Sequence, residues 1–132
     1  MVLVDTNVLA YLMLAGDRTT AAQELYGQDS DWRSEAFIMV EFSNVLVTCV
    51  RTKALARDQA LKLLAGAEEV VSALTSVRHA RTLEAATQFG ISAYDARFVA
   101  LAMQMKVRLV TEDAKLRAAV PSWTVSLASA LT

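Results

Sequence analysis

Four acidic side chains stand at positions from which they can act together. Asp5 ends the apolar run Met1-Val2-Leu3-Val4, Asp95 closes Ser92-Ala93-Tyr94-Asp95, and Asp113 follows Arg108-Leu109-Val110 through Thr111-Glu112. Each aspartate has an ordinary explanation, because an Asp at a helix N-terminus accepts backbone N–H groups and contributes about 1 kcal/mol. Asp5 fits as the cap of a helix from Val8, Asp113 as the cap of one from Ala114, and Ser92 with Asp95 has capping-box spacing, with Asp in place of Glu. Capping does not account for Glu41. It lies inside Phe37-Ile38-Met39-Val40-Glu41-Phe42, and its neighbours at +3 and +7, Asn44 and Thr48, make a narrow polar stripe on an oily helix. That stripe faces either solvent or a polar cleft.

If the four carboxylates share one pocket, they repel one another and stay ionised only with a cation among them. The donor set would be all oxygen, since the chain has one His and one Cys, and such a set selects hard ions, Mg²⁺ or Mn²⁺. An ion of this kind orients a phosphodiester, lowers the pKa of a bound water and neutralises the leaving oxygen. The chemistry indicated is phosphodiester hydrolysis.

The elements that must position these acids follow from the hydrophobic pattern. Met1 to Val4 reads as a buried strand, Asp5-Thr6-Asn7 as a tight turn and Val8 to Leu14 as a helix. Thr19 or Thr20 caps a helix through Tyr26, and Gln28 to Asp31 is loop. Ser34 is expected to open a long helix from about Glu35 to Lys53, followed by an amphipathic helix from Arg57 to Glu69. A short strand falls at Val70-Val71 or at Thr75 to Val77. Next come helices at His79–Phe89, ended by Gly90, and at Ser92–Met105, a strand at Arg108–Val110, a helix at Asp113–Ala119 with Pro121 beyond it, and a strand at Trp123–Val125. Strands alternating with helices predict an α/β fold, a parallel sheet of four to five strands covered on both faces in a three-layer α/β/α sandwich. Ligands in such folds bind beyond the carboxyl ends of the strands, where Asp5 and Thr111-Glu112-Asp113 fall.

The 132 residues carry one Pro and four Gly, with no repeat or linker-like run, so residues 1–132 are expected to form one domain. The single Cys49 can make no internal bridge and suits a reducing, cytoplasmic setting. Thr6 to Gly16, the longest uncharged stretch near the start, is too short for a bilayer core that needs about 20 residues, and Met1 to Asp5 has no basic region of a signal peptide. A soluble protein without membrane association is expected, although 55% hydrophobic residues suggest that a partner covers part of the surface. A net charge of −1 taken alone disfavours nucleic acid. Setting the four candidate acids aside from the 14 acidic residues leaves ten against 13 basic ones, an acidic pocket on a mildly basic body.

Taken in order, Val4-Asp5-Thr6-Asn7-Val8-Leu9, Val40-Glu41-Phe42-Ser43-Asn44-Val45-Leu46, Ser92-Ala93-Tyr94-Asp95-Ala96 and Thr111-Glu112-Asp113-Ala114-Lys115-Leu116 resemble the PIN-domain ribonucleases, and within them the VapC-type toxins of bacterial toxin–antitoxin pairs. Each block is weak alone, and the four in this order and spacing are specific together. The resemblance implies a Mg²⁺-dependent endoribonuclease acting on single-stranded or looped RNA. It implies that Asp5, Glu41, Asp95 and Asp113 form the acidic metal site, with Asp5 and Asp95 as the most direct ligands, Asp113 completing the site directly or through water, and Glu41 orienting or activating the attacking water. Asn7 and Thr111 would be donors that fix the carboxylates. Glu112, beside Asp113, stays open as an auxiliary ligand. Also implied are a homodimer and a cognate antitoxin that covers the active site, with the exposed side of Arg57–Glu69 and the turn at Leu12–Leu14 as candidate contact surfaces.

Other residues carry bland readings: His79 as a surface helix start, Arg97 in an ion pair with a nearby acid, Cys49 as core, Trp32 and Trp123 as packing rather than base-stacking rings. Two competing classes are a PIN-like module that binds partners without catalysis and an Asp-based phosphotransfer domain of the receiver or phosphatase type. The phosphatases need Asp-x-Asp after the first strand, where this chain has Asn7, and no receiver-type phospho-acceptor Asp or Lys is evident.

Overall fold

Val2, Leu3 and Val4 are too few for a helical turn and too apolar for a loop, and they form strand β1 (Val2–Val4). In this computed structural model, which describes residues 1–132, β1 is the centre of a five-stranded sheet of order β3-β2-β1-β4-β5. The other strands are β2 (Trp32–Glu35), β3 (Ala73–Thr75), β4 (Leu109–Val110) and β5 (Thr124–Val125), and every neighbouring pair is parallel. Leu3, Val4 and Leu109 are fully buried, as parallel strands between helical layers must be. Helices α1 (Thr6–Met13), α2 (Thr19–Gln28), α3 (Phe37–Arg51) and α4 (Arg57–Val70) pack on one another, while α5 (His79–Phe89) packs on α6 (Ala93–Met105), which lies against β2 and β4. Two short helices, α7 (Ala114–Ala119) and α8 (Leu127–Ala130), complete the chain. The expected three-layer α/β/α sandwich forms, around one core of 26 buried hydrophobic residues.

Three elements differ from the sequence expectation. The expected loop and helix start at Gln28–Glu35 instead contain β2, which pairs Leu3 with Arg33 and Ser34 with Leu74. Its polar residues hid it, and the structure satisfies them: Ser34 Oγ donates to the Val4 carbonyl at 2.7 Å, and Glu35 accepts from the Phe37 N–H at 2.7 Å and from Arg97 Nη1 at 3.3 Å. A buried carboxylate is tolerated where donors face it. Strand β3 overlaps the second of the two segments considered for it only at Thr75 and begins two residues earlier, and α8 was not anticipated. Helix α6 ends where expected, although there a lysine, Lys106, adopts the left-handed conformation (φ 58°), whereas α5 ends on Gly90 (φ 66°) as anticipated.

The chain leaves β1 for β2 and β3 on one side, then returns to lay β4 and β5 on the other. Crossovers therefore diverge between β1 and β4, and a crevice opens beyond the carboxyl ends of those two strands.

Candidate functional site

The crevice holds the acids. Asp5 follows β1 directly, Asp113 follows β4 through Thr111 and Glu112, Asp95 lies in the first turn of α6 and Glu41 in the second turn of α3. All four line one cleft of about 440 Å³, together with Thr6, Asn7 and Asn44 and the apolar Phe37, Tyr94, Phe98 and Leu116. The polar stripe of α3 thus enters a cleft through Glu41 and Asn44, while the exposed Thr48 lies outside it and donates to the Asn44 carbonyl at 3.1 Å.

Capping and cleft-lining coexist in the same side chains. Asp5 Oδ1 accepts from the Val8 N–H at 3.0 Å, and Asp113 Oδ1 accepts from the N–H groups of Lys115 and Leu116 at 3.0 and 3.1 Å. Each leaves Oδ2 without a backbone donor. At α6 only half of the capping box forms: Ser92 Oγ accepts from the Asp95 N–H at 3.1 Å, and the Asp95 carboxylate lines the cleft. Glu41 Oε1 accepts from the Thr6 hydroxyl at 2.7 Å.

Thr111 is fully buried beneath the cleft, where its hydroxyl accepts from the Asp113 N–H at 3.2 Å and interacts with the Asp5 carboxyl. Asn7 lines the cleft but is exposed, and its amide makes no hydrogen bond within the chain; the side chain of this turn that does hold an acid is Thr6. No sequence signal marked Thr6 beyond its place in the Asp5-Thr6-Asn7 turn. Glu112 turns away from its neighbour: its Oε1 accepts from the Leu127 N–H at 2.6 Å, its Oε2 lies 3.5 Å from Arg18 Nε, and it does not line the cleft.

Burial, above all, lifts the Asp5 carboxyl from 3.8 to about 6, and the nearby charges of Asp95 and Glu41 add to the shift while hydrogen bonds from Thr111 and Val8 oppose it. Asp95 is also raised, by burial first and then by Asp113. These are carboxylates whose ionised forms want a positive charge nearby. No three of them close on a single ion-sized point, an open arrangement that like charges favour. The donor set still fits Mg²⁺, which keeps several of its waters and needs only one or two protein carboxylates.

The remaining candidates are structural in placement. Arg97 pairs with Glu35, and its Nη2 lies 3.2 Å from the Nδ1 of the exposed His79. Trp32 is buried, with its ring 5.3 Å from that of Tyr26 in edge contact; Trp123 is partly buried, and Cys49 is half-buried rather than core. No helix is long and apolar enough to cross a membrane.

The crystal structure of PAE2754 from Pyrobaculum aerophilum is similar over 98% of this chain and 92% of that one, with a TM-score of 0.79 and 20% sequence identity, a likeness of fold. No curated protein matches the sequence. Residues 2–120 match the PIN domain, and the chain accordingly belongs to that family, whose members are generally nucleases that hydrolyse phosphodiester bonds and typically use divalent metals.

Proposed function

We propose that this chain is a Mg²⁺- or Mn²⁺-dependent endoribonuclease of the cytoplasm, and the toxin component of a toxin–antitoxin pair. The observation that carries the nuclease assignment is the joint exposure of Asp5, Glu41, Asp95 and Asp113 to one cleft at the point where the crossovers diverge. Asp5 and Asp95, with Asp113 completing the site, would hold the ion, which when bound supplies charge neutralisation at the scissile phosphate and acidifies water. Glu41, oriented by the Thr6 hydroxyl, would accept a proton of the attacking water as its oxygen bonds to phosphorus and the bond from phosphorus to the leaving oxygen breaks, that oxygen taking a proton from solvent. Thr111 holds Asp5 and Asp113 in register from below.

The test is cleavage of a mixture of cellular RNA by the purified chain with Mn²⁺ or Mg²⁺ and with EDTA. Cleavage that needs the ion and falls by at least about a hundredfold in Asp5→Asn and Asp95→Asn supports the assignment. Equal activity of wild type and Asp5→Asn, or none with either ion, overturns it and favours a module that binds partners without catalysis.

Support for the toxin role lies in the resemblance and in an apolar groove of about 400 Å³ between α3 and α4, lined by Leu46, Val50, Ala60 and Leu64 and by the exposed Val47 and Leu61. It falls on the side of Arg57–Glu69 expected to meet an antitoxin or a second copy; Leu12 to Leu14 are half-buried and offer less surface. Expression in bacteria is expected to arrest growth, and Asp5→Asn to relieve the arrest. Sedimentation of the purified chain decides between monomer and homodimer.

A further inference from the structure

We propose that the exposed ring of Tyr94 is a stacking platform for one unpaired nucleobase of the substrate, set beside the acids so that the flanking phosphate enters their cleft. The proposal rests on the ribonuclease assignment above and adds a binding residue to it. Tyr94 lies in the first turn of α6, immediately before Asp95, and is 63% exposed. Its ring makes an offset stack with that of Phe37, with centroids 5.6 Å apart and planes 17° from parallel. The Arg97 guanidinium also lies over the Phe37 ring, 5.3 Å from its centroid.

The three groups form a cluster that is anchored through Phe37 and Arg97. Arg97 Nη1 donates to the buried Glu35 at 3.3 Å, and the Phe37 N–H donates to the same carboxylate at 2.7 Å. Phe37 and Arg97 are therefore tied to the end of β2, the start of α3 and α6 together, and Tyr94, 63% exposed, is the member of the cluster left open to solvent. Its hydroxyl has no hydrogen-bond partner in the chain, so the ring is presented rather than stapled down. Both rings line the same cleft as Asp5, Glu41, Asp95 and Asp113.

A flat, supported aromatic face next to phosphodiester chemistry suits a nucleobase, since every base has a π-face and stacking on a side chain is tolerant of sequence. In a duplex those faces are covered by neighbouring pairs, so the platform selects unpaired strands. The two tryptophans do not compete for this role: Trp32 is buried, and neither it nor Trp123 lines the cleft.

The experiment titrates Asp5→Asn protein, which leaves RNA intact, against a short single-stranded RNA carrying 2-aminopurine at successive positions. Quenching is expected at one position. Adding Tyr94→Ala is expected to abolish that quench and weaken binding roughly ten- to a hundredfold, Tyr94→Phe and Tyr94→Trp to restore both, and the same strand in a duplex to bind equally with or without the ring. A thermal melt within a few degrees of the parent shows that Tyr94→Ala folds. RNA bound equally by the Tyr and Ala proteins overturns the platform and leaves the ring to a protein contact. Wild-type cleavage measured in parallel separates the two proposals: Asp5-dependent cutting with Tyr94-blind binding sinks only the platform, whereas Tyr94-dependent quenching without cutting sinks only the nuclease.

Discussion

Asp5 bears two demands at once, because one oxygen caps α1 while burial and the charges of Asp95 and Glu41 keep the carboxyl near 6. The sign of the resulting pH dependence follows. The unfolded chain loses this proton near 3.8 and the folded chain near 6, so between those values the folded state holds more protons and stability falls as pH rises. The contribution present at low pH, about 3 kcal/mol by the size of the shift, is gone above pH 6–7. Asn keeps an oxygen for the Val8 N–H and carries no charge. In EDTA, Asp5→Asn is therefore expected to be more stable than wild type at pH 7 and about equal near pH 4, measured by urea unfolding at several pH values. A wild-type advantage at pH 7 without metal refutes the origin assigned to the shift. At this scale the sequence was informative about which residues come together, since the blocks around Asp5, Glu41, Asp95 and Asp113 fall on one cleft. It could not separate Glu112 from Asp113, because adjacent residues after a strand differ only in direction, and direction was set by the Leu127 N–H, 15 residues away.

Elements rather than residues explain why the acids hold their spacing. Glu35 ties the β2–α3 junction through the Phe37 N–H, the segment before α5 through the Val77 N–H at 3.5 Å, and α6 through Arg97. Helices α3 and α6 carry Glu41 and Asp95, so this buried carboxylate fixes two walls of the cleft. Arg97→Ala strands the charge of Glu35 and is expected to cost about 3 kcal/mol. Arg97→Ala combined with Glu35→Gln should recover part of that loss, with guanidinium unfolding as the measurement; additive losses would mean that the two side chains are not coupled. Glu112 gives the contrasting case. It anchors the short α8 and pairs with Arg18 on the far side of the strand end, so Glu112→Ala should lower stability by about 1–2 kcal/mol through the stranded Leu127 N–H while leaving metal-dependent cleavage within about threefold of wild type. A hundredfold loss of cleavage in a protein that still melts cooperatively would place Glu112 in the site after all. The elements least legible in sequence were those whose polar residues are satisfied at long range. Trp32-Arg33-Ser34-Glu35 has too little apolar alternation to announce a strand, and its carboxylate became acceptable only through Arg97, 62 positions on. The long helices and β1 were legible because their apolar patterns are local.

For the whole molecule, charge placement matters more than charge total. The chain sums to −1, yet four of its carboxylates face one cleft and the remainder is mildly basic. The fold thus concentrates repulsion in one place, where a divalent cation would relieve it, and leaves a mildly basic remainder able to meet phosphates. Binding of an ion only to the folded cleft must stabilise the protein by mass action, about 2.7 kcal/mol at a hundred times Kd, which for a domain of this size is roughly 10 °C in Tm. Asp5→Asn removes both the repulsion and a donor. Without metal it should melt above wild type at pH 7, and with rising Mn²⁺ the wild-type Tm should climb past it, so the two curves cross. Thermal melts across a Mn²⁺ series, with EDTA as zero, measure this directly. Parallel curves would mean that the ion binds elsewhere, and a flat wild-type curve that the clustered acids hold none; the crossing is the signature of carboxylates kept together for a cation.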